Sequence, residues 1–196
     1  VASPNVVLVP QGKDPVYNGT AQAPEVPASE KYTVTVTPQT DVKTNGGYEL
    51  TLSLKDKTAD VWGLADGSTT TDDQVLRWNI APKPLKVYGV KATDKVYDAS
   101  TSIRITAGEL AFQEDGNVAY AAVQGDQIAL NSRYRSAHTT NANAGAGKAV
   151  VVSGFTLEGA DAANYTLLQP DDVVVTVYRA TPGITLSNYT AAYTGL

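Results

Sequence analysis

Few side chains in this sequence can carry chemistry, and their spacing decides which chemistry that would be. His138 is the single histidine, and there is no cysteine. A Ser-His-Asp relay would have to use His138, yet no Gly-x-Ser-x-Gly turn offers it a nucleophile. It sits among small and polar residues and reads as a surface side chain. Asp72-Asp73 and Asp171-Asp172 are adjacent acids placed before the last strand of each half of the chain. Calcium needs six or more oxygen ligands, and neither pair lies in an Asp-x-Asp-x-Asp-Gly loop, so solvated turn charges are expected. Glycoside hydrolysis needs two carboxylates at a set separation, and among 20 acidic residues nothing singles out a pair. Lys86 or Lys148 with Asn164 has the groups for a Lys–Asn isopeptide cross-link, but no motif supports one. The remaining candidates are aromatic faces that can stack on a sugar. Trp78 is in phase with Leu76 and Ile80 and reads as core, which leaves Trp62 as the candidate ligand contact. No catalytic residue, metal site or cofactor is expected.

The composition narrows the partners. Hydrophobic residues make up 42% of the 196 positions and charged residues 18%, a globular balance. The net charge is −5 with no basic cluster, which disfavours nucleic acid and anionic membrane surfaces. The absence of cysteine removes disulfides and thiolate chemistry together. No run approaches the ~20 apolar residues of a membrane span, so no direct insertion is expected. No charged-then-apolar signal segment opens the chain. It is read as a piece of a longer protein whose signal and anchor lie outside it.

The elements that must position these residues are strands. Asn5 to Val9 reads as a buried first strand. Lys31 to Thr37 alternates strictly, with Tyr32, Val34 and Val36 on one face. Tyr48, Leu50, Leu52 and Leu54 alternate with polar residues behind the Asn45-Gly46-Gly47 turn. Asp60 to Gly63 is a short strand, and Gln74 to Ile80 closes the first half. Pro82 and Pro84 stiffen the chain at the boundary. Leu85 to Lys91 opens the second half. Ser102 to Thr106 and Asp126 to Arg135 read as strands, Ala137 to Gly147 as a loop, and Glu109 to Gly125 fits no single element. Lys148 to Thr156 is the most apolar run and is expected to be central. Asn164 to Leu168 and Asp172 to Arg179 complete the set.

One stretch recurs. Tyr17-Asn18-Gly19 returns as Tyr97-Asp98-Ala99 and again as Tyr193-Thr194-Gly195. The separations, 80 and 96 residues, are those of domains. The pattern predicts an all-β chain of two tandem Ig-like antiparallel β-sandwich domains, residues 1–82 and 83–181. Residues 182–196 would start a third repeat with its first strand. The recurring residues are expected to be structural, with each tyrosine packing on its own domain.

Three segments of the second half bear a family resemblance: Lys95 to Thr101, Asn143 to Lys148 and Leu157 to Tyr165. Over residues 84–180 they resemble the MBG repeat domain of the YDG type. That family has a Lys-x-Tyr-Asp-Gly-Thr-like start, a glycine turn before a Lys-x-Val strand, and a late Asn-Tyr segment. Ala99 stands where the family has glycine, so a tight positive-φ turn would be disfavoured there. The first half resembles a more distant bacterial Ig-like repeat. The resemblance implies tandem repeats in large bacterial surface or secreted proteins, adhesin-like and extracellular, and carries no catalytic residue. The expected role is a non-catalytic structural or adhesive spacer. Its expected partners are a host or matrix protein or glycan and the neighbouring repeats of the same chain. The alternative is a carbohydrate-binding accessory module of a secreted enzyme, with Trp62 or an exposed tyrosine as the platform.

Overall fold

The computed structural model describes residues 3–113, 119–184 and 195. The chain is all-β across these residues, in several small sheets, with a single 3-10 turn at Ala162–Asn164. The strands of the first half are β1 (Asn5–Leu8), β2 (Tyr32–Val36), β3 (Tyr48–Leu54), β4 (Asp60–Gly63), β5 (Thr69–Thr70) and β6 (Gln74–Trp78). Those that follow are β7 (Lys83–Tyr88), β8 (Lys95–Val96), β9 (Glu109–Leu110), β10 (Phe112–Gln113), β11 (Ala122–Val123) and β12 (Ala129–Asn131). The last are β13 (Ser136–Thr139), β14 (Gly145–Ser153), β15 (Thr156–Glu158), β16 (Tyr165–Leu168) and β17 (Val174–Tyr178).

Period-two alternation places the residues as expected along β3. Leu50, Leu52 and Leu54 are buried, and Glu49 faces water. Across it, β2 and β6 pair antiparallel, with Val36 opposite Leu50 and Trp78 opposite Tyr48. β2 lies at the edge of this sheet, so of its predicted face only Tyr32 is fully covered. β1 is also an edge strand rather than a buried one: Val7 packs on the core while Leu8 is 78% exposed.

The expectation of purely antiparallel sheets does not hold. β1 runs parallel to β4, β7 to β16, and β8 to β17. Alternation decides which face a side chain takes but is blind to strand direction. Direction is set by the connection: between β1 and β4 the chain crosses to build β2 and β3 in another sheet, and such a crossover allows parallel pairing.

The two halves share a plan. β1–β4 corresponds to β7–β16, and β2–β3–β6 corresponds to β13–β14–β17. β14 is central in its sheet, flanked by β13 and β17. His138 lies on β13 opposite Val151, exposed, where a loop was expected. The stretch from 126 to 135 holds only the three-residue β12, not a long strand. Ile103 and Ile105 are buried, but their segment joins its neighbours through isolated bridges rather than a strand ladder. The expected third-repeat strand falls mostly outside the described residues, and Ile184 at its start is exposed and outside any strand.

The core decides how the halves relate. One buried cluster holds Tyr17, Tyr32, Leu50, Leu52, Leu54, Trp62, Trp78 and Ile80, and also Leu85, Ala122, Val123 and Tyr165 from beyond the prolines. A second cluster, including Val87, Val150, Val152 and Val175, lies wholly in the second half. Pro84 sits within β7, where parallel pairing to Thr166 continues past it. Pro82 precedes the strand, and Ala81 forms a parallel bridge with Val16. The proline segment is therefore paired on both sides.

Because Leu85 belongs to the first cluster, its truncation should be felt by the first half. Both tryptophans lie before residue 80, so tryptophan fluorescence reports on that half alone. Leu85→Ala should lower the stability read by fluorescence in urea by about 2–5 kcal/mol, the usual cost of a core Leu→Ala change. An unchanged fluorescence midpoint would show that the halves unfold independently.

Candidate functional site

The recurring tyrosine turn is built by short-range hydrogen bonds. The Asn18 Oδ1 accepts from the Thr20 amide (2.9 Å) and hydroxyl (2.8 Å). This Asx turn leaves the next residue, Gly19, in the left-handed region at φ 78°. The Tyr17 amide donates to the Ala81 carbonyl (2.9 Å), and the Ala81 amide donates to the Pro15 carbonyl (2.7 Å). In the second copy the Asp98 Oδ1 accepts from the Ser100 amide (2.9 Å), and the Tyr97 amide donates to the Tyr178 carbonyl (2.8 Å).

Ala99 takes φ 63°, so the turn keeps its shape despite the methyl group. A left-handed alanine costs roughly 1–2 kcal/mol. Lys95 helps hold it there: its Nζ donates to the Asp98 Oδ1 (2.7 Å), the Ser100 carbonyl (2.8 Å) and the Ser102 carbonyl (3.1 Å). The same ammonium, with the Ser100 amide, keeps the Asp98 carboxyl below the usual carboxylate range. Tyr193 and Thr194 of the third copy lie outside the described residues, and Gly195 is exposed.

What the first turn presents is a junction. Tyr17 is 4% exposed, and it is the second half that covers it. Its hydroxyl donates to the Asp126 Oδ2 at 2.8 Å. The Tyr165 hydroxyl donates to the same oxygen at 2.5 Å while accepting from the Val123 amide at 2.8 Å. The two rings meet edge to face at 5.3 Å. Beside them the Asn164 Oδ1 accepts from the Val42 amide (2.7 Å), and its Nδ2 donates to the Asp41 Oδ1 (3.0 Å). A Cβ on Gly19 would lie 2.7 Å from the Val123 Cγ1, so the glycine allows close approach as well as the positive φ.

Asp126, Asn164 and Tyr165 come from the second half, while Tyr17, Gly19 and Asp41 come from the first. Sequence reading had each tyrosine packing on its own domain, and Tyr17 packs across instead. Asp126 was read merely as the start of a strand, and only its position after a glycine hints at a turn. Asn164-Tyr165 belongs to the late segment of the family resemblance, a visible signal whose partner was not.

The other candidates scatter. Trp62 is fully buried beside Tyr32, with ring centroids 5.5 Å apart, so its face cannot stack on a sugar. Asp73 pairs with Lys57 at 2.8 Å, and Asp171 lies 4.0 Å from Lys86. Among the described residues no group of three or more potential ligands forms a metal cluster. Lys148 donates to Asn141 and Asn143, and Asn164 is engaged with Asp41 and Val42, so the conceivable isopeptide partners point to other groups. Among the described residues no helix is long and apolar enough to cross a membrane.

Comparison with known proteins adds one finding. Residues 81–173 match the family model of the YDG domain. The matched range contains Tyr97-Asp98-Ala99, Asp126 and Asn164-Tyr165. The chain matches no curated protein and no solved structure.

Burial first, then the hydrogen bond to Asp126, raises both the Tyr17 and Tyr165 hydroxyls well above the ordinary tyrosine value. Their folded pKa values exceed the unfolded value of about 10, so their contribution is complete below pH 10. Above it the unfolded chain sheds protons that the folded chain keeps, and stability falls by up to about 1.4 kcal/mol per pH unit for each tyrosine. Tyr17→Phe should cost about 1–2 kcal/mol at pH 7. It should also make the alkaline loss shallower by one tyrosine's slope, measured as urea midpoints between pH 8 and 11.5. An unchanged slope would show that the Tyr17 proton is not held by the fold. In the second turn, Ala99→Gly should stabilise by roughly 0.5–1 kcal/mol in the same measurement, and a loss of stability would show that the methyl group makes contacts worth more than the strain.

Proposed function

We propose that this chain is a non-catalytic structural and adhesive repeat module of a large bacterial cell-surface or secreted protein. In this reading the halves, residues 1–82 and 83–181, are tandem Ig-like β-sandwiches, the second an MBG repeat of the YDG type. Residues 182–196 begin a third repeat. The module acts as a semi-rigid extracellular spacer that holds a distal part at a fixed attitude. Its loops and edges meet a host or matrix protein or glycan, and its ends meet neighbouring repeats. It needs no cofactor.

The junction is the observation that carries this reading. A spacer transmits direction only if successive units cannot swivel. Here a buried apolar cluster spans both halves, and one carboxylate oxygen takes a hydroxyl from each. Hydrogen bonds to a charged group are worth about 1.5–3 kcal/mol, and an edge-to-face ring pair adds about 0.5–1.5 kcal/mol. The net charge of −5 suits a solvated surface. Burial of Trp62 removes one platform of the carbohydrate-binding alternative, which is left with an exposed tyrosine such as Tyr134.

The cysteine-free sequence allows a direct test. Spin labels on Thr35→Cys and Val151→Cys, both on exposed strand positions, should give one narrow distance distribution by pulsed dipolar spectroscopy. Adding Asp126→Ala should broaden it. A broad distribution in the otherwise unaltered chain would overturn the spacer reading.

A further inference from the structure

The junction between the halves supplies a template for the far end of the second half. Superposing strand plans, Leu50 and Leu52 of β3 correspond to Val150 and Val152 of β14, and Trp78 and Ile80 correspond to Val175 and Val177. The residues of the first half that receive the second therefore have counterparts. Tyr17 maps to Tyr97, Gly19 to Ala99, Asp41-Val42 to Asn141-Ala142, and Ala81 to Tyr178. The backbone bond from tyrosine to the strand end is present in both, Tyr17 to Ala81 and Tyr97 to Tyr178.

The environments of the two tyrosines differ. Tyr17 is 4% exposed under the second half, and Tyr97 is 43% exposed. Val16 and Val96, one residue earlier, are similarly exposed at 52% and 56%, so the turns themselves are equally open and the covering unit makes the difference. Tyr97 lies in an open groove of about 540 Å³ with Asn143, Ala144, Arg179, Ala180 and Pro182. Its lining is apolar apart from Asn143 and the Arg179 guanidinium, and Tyr178 and Ile184 add exposed apolar surface on the adjoining segment.

We propose that this groove is the docking face for a following unit built like residues 81–178, seated as the second half is seated on the first. The occupant is specified by chemistry. It must offer a carboxylate in the place of Asp126 for the Tyr97 hydroxyl, and an Asn-Tyr pair in the place of Asn164-Tyr165. The Asn141 side chain keeps an acceptor oxygen where Asp41 has one, although that oxygen already receives Lys148 and the Asn143 amide. Ala99 adds a further requirement. In the first junction a methyl group at Gly19 would collide with Val123, so the occupant at Ala99 must carry a residue smaller than valine there. The proposal rests on the repeat-array reading and names the surface through which the array continues.

The test uses the chain through Ala180, lengthened there by a second copy of residues 84–180, so that Pro84 of the copy follows Tyr178 at the spacing at which it follows Ala81, with Val123→Ala in that copy. Hydrogen exchange of the amides of 97–100 and 141–144 should slow at least tenfold relative to the natural chain. Tyr97→Ala in the lengthened chain should abolish that gain. Restoring valine in the added copy should reduce the protection, and Ala99→Gly should recover it. Unchanged exchange at these loops, an added copy that stays unfolded, or a Tyr97→Ala variant that keeps full protection would each overturn the proposal. Exchange at residues 17–20 is read in the same experiment. Protection there with none at 97–100 rejects this docking face alone, whereas fast exchange at both rejects the rigid-spacer reading itself.

Discussion

One carboxylate oxygen, the Oδ2 of Asp126, accepts hydroxyls from Tyr17 and Tyr165, which enter from opposite sides of the chain's midpoint. Asp126 is half-buried, where a carboxylate gains from filled lone pairs, and a buried tyrosine hydroxyl such as that of Tyr17 or Tyr165 is costly unless it donates. The three groups satisfy one another. They can do so only when residues 17, 126 and 165 are brought to one point, so a single requirement of polar satisfaction fixes the pose of one half against the other. The hydrophobic cluster supplies driving force without direction. The bonds to Asp126, with Asn164 bridging to Asp41 and Val42, supply the geometry.

This arrangement changes what the proline segment does. Two prolines in four residues look like a spacer that stiffens an otherwise free joint. In the structure the segment is held by pairing on both flanks: Ala81 bridges to Val16, and Lys83 begins the ladder with Tyr165. β7 lies between β16 and β9, but β9 pairs only with Val87 and Tyr88, so at Pro84 the strand is laddered on one side alone and a missing amide is tolerated. In the proposed spacer, rigidity would arise from contact across the junction, with the prolines only shortening the set of conformations that must be given up to reach it.

How much of this could be read from residues alone depends on the range of the interaction. Strands 48–54 and 60–63 were legible because alternation is a property of neighbouring positions. The recurrence of Asn18-Gly19 as Asp98-Ala99 was legible as a motif, and the Asx bonds that close both turns emerged with the structure. The exposed β1 was misread because a run of four apolar residues, Val6 to Val9, looks buried whether it lies at the centre or at the edge of a sheet. Ala99 was read as a departure that would alter its turn. It keeps the glycine conformation because Lys95 and the Asx bond outweigh a modest local strain, a balance set by groups that the motif does not contain. Trp62 remained a candidate sugar platform because nothing in its short strand says which layer will cover it.

The sequence by itself determined which residues of β3 face the core, the recurrence of the tyrosine stretch and the absence of thiol chemistry, all of which follow from residue type and spacing. Only the tertiary structure decided the parallel pairings, the continuity of the core across residue 82, and the meeting of Tyr17 with Asp126 and Tyr165. Those depend on where a chain returns after crossing between layers. Contacts separated by 109 residues, as Tyr17 and Asp126 are, leave no periodic trace in the residues between them.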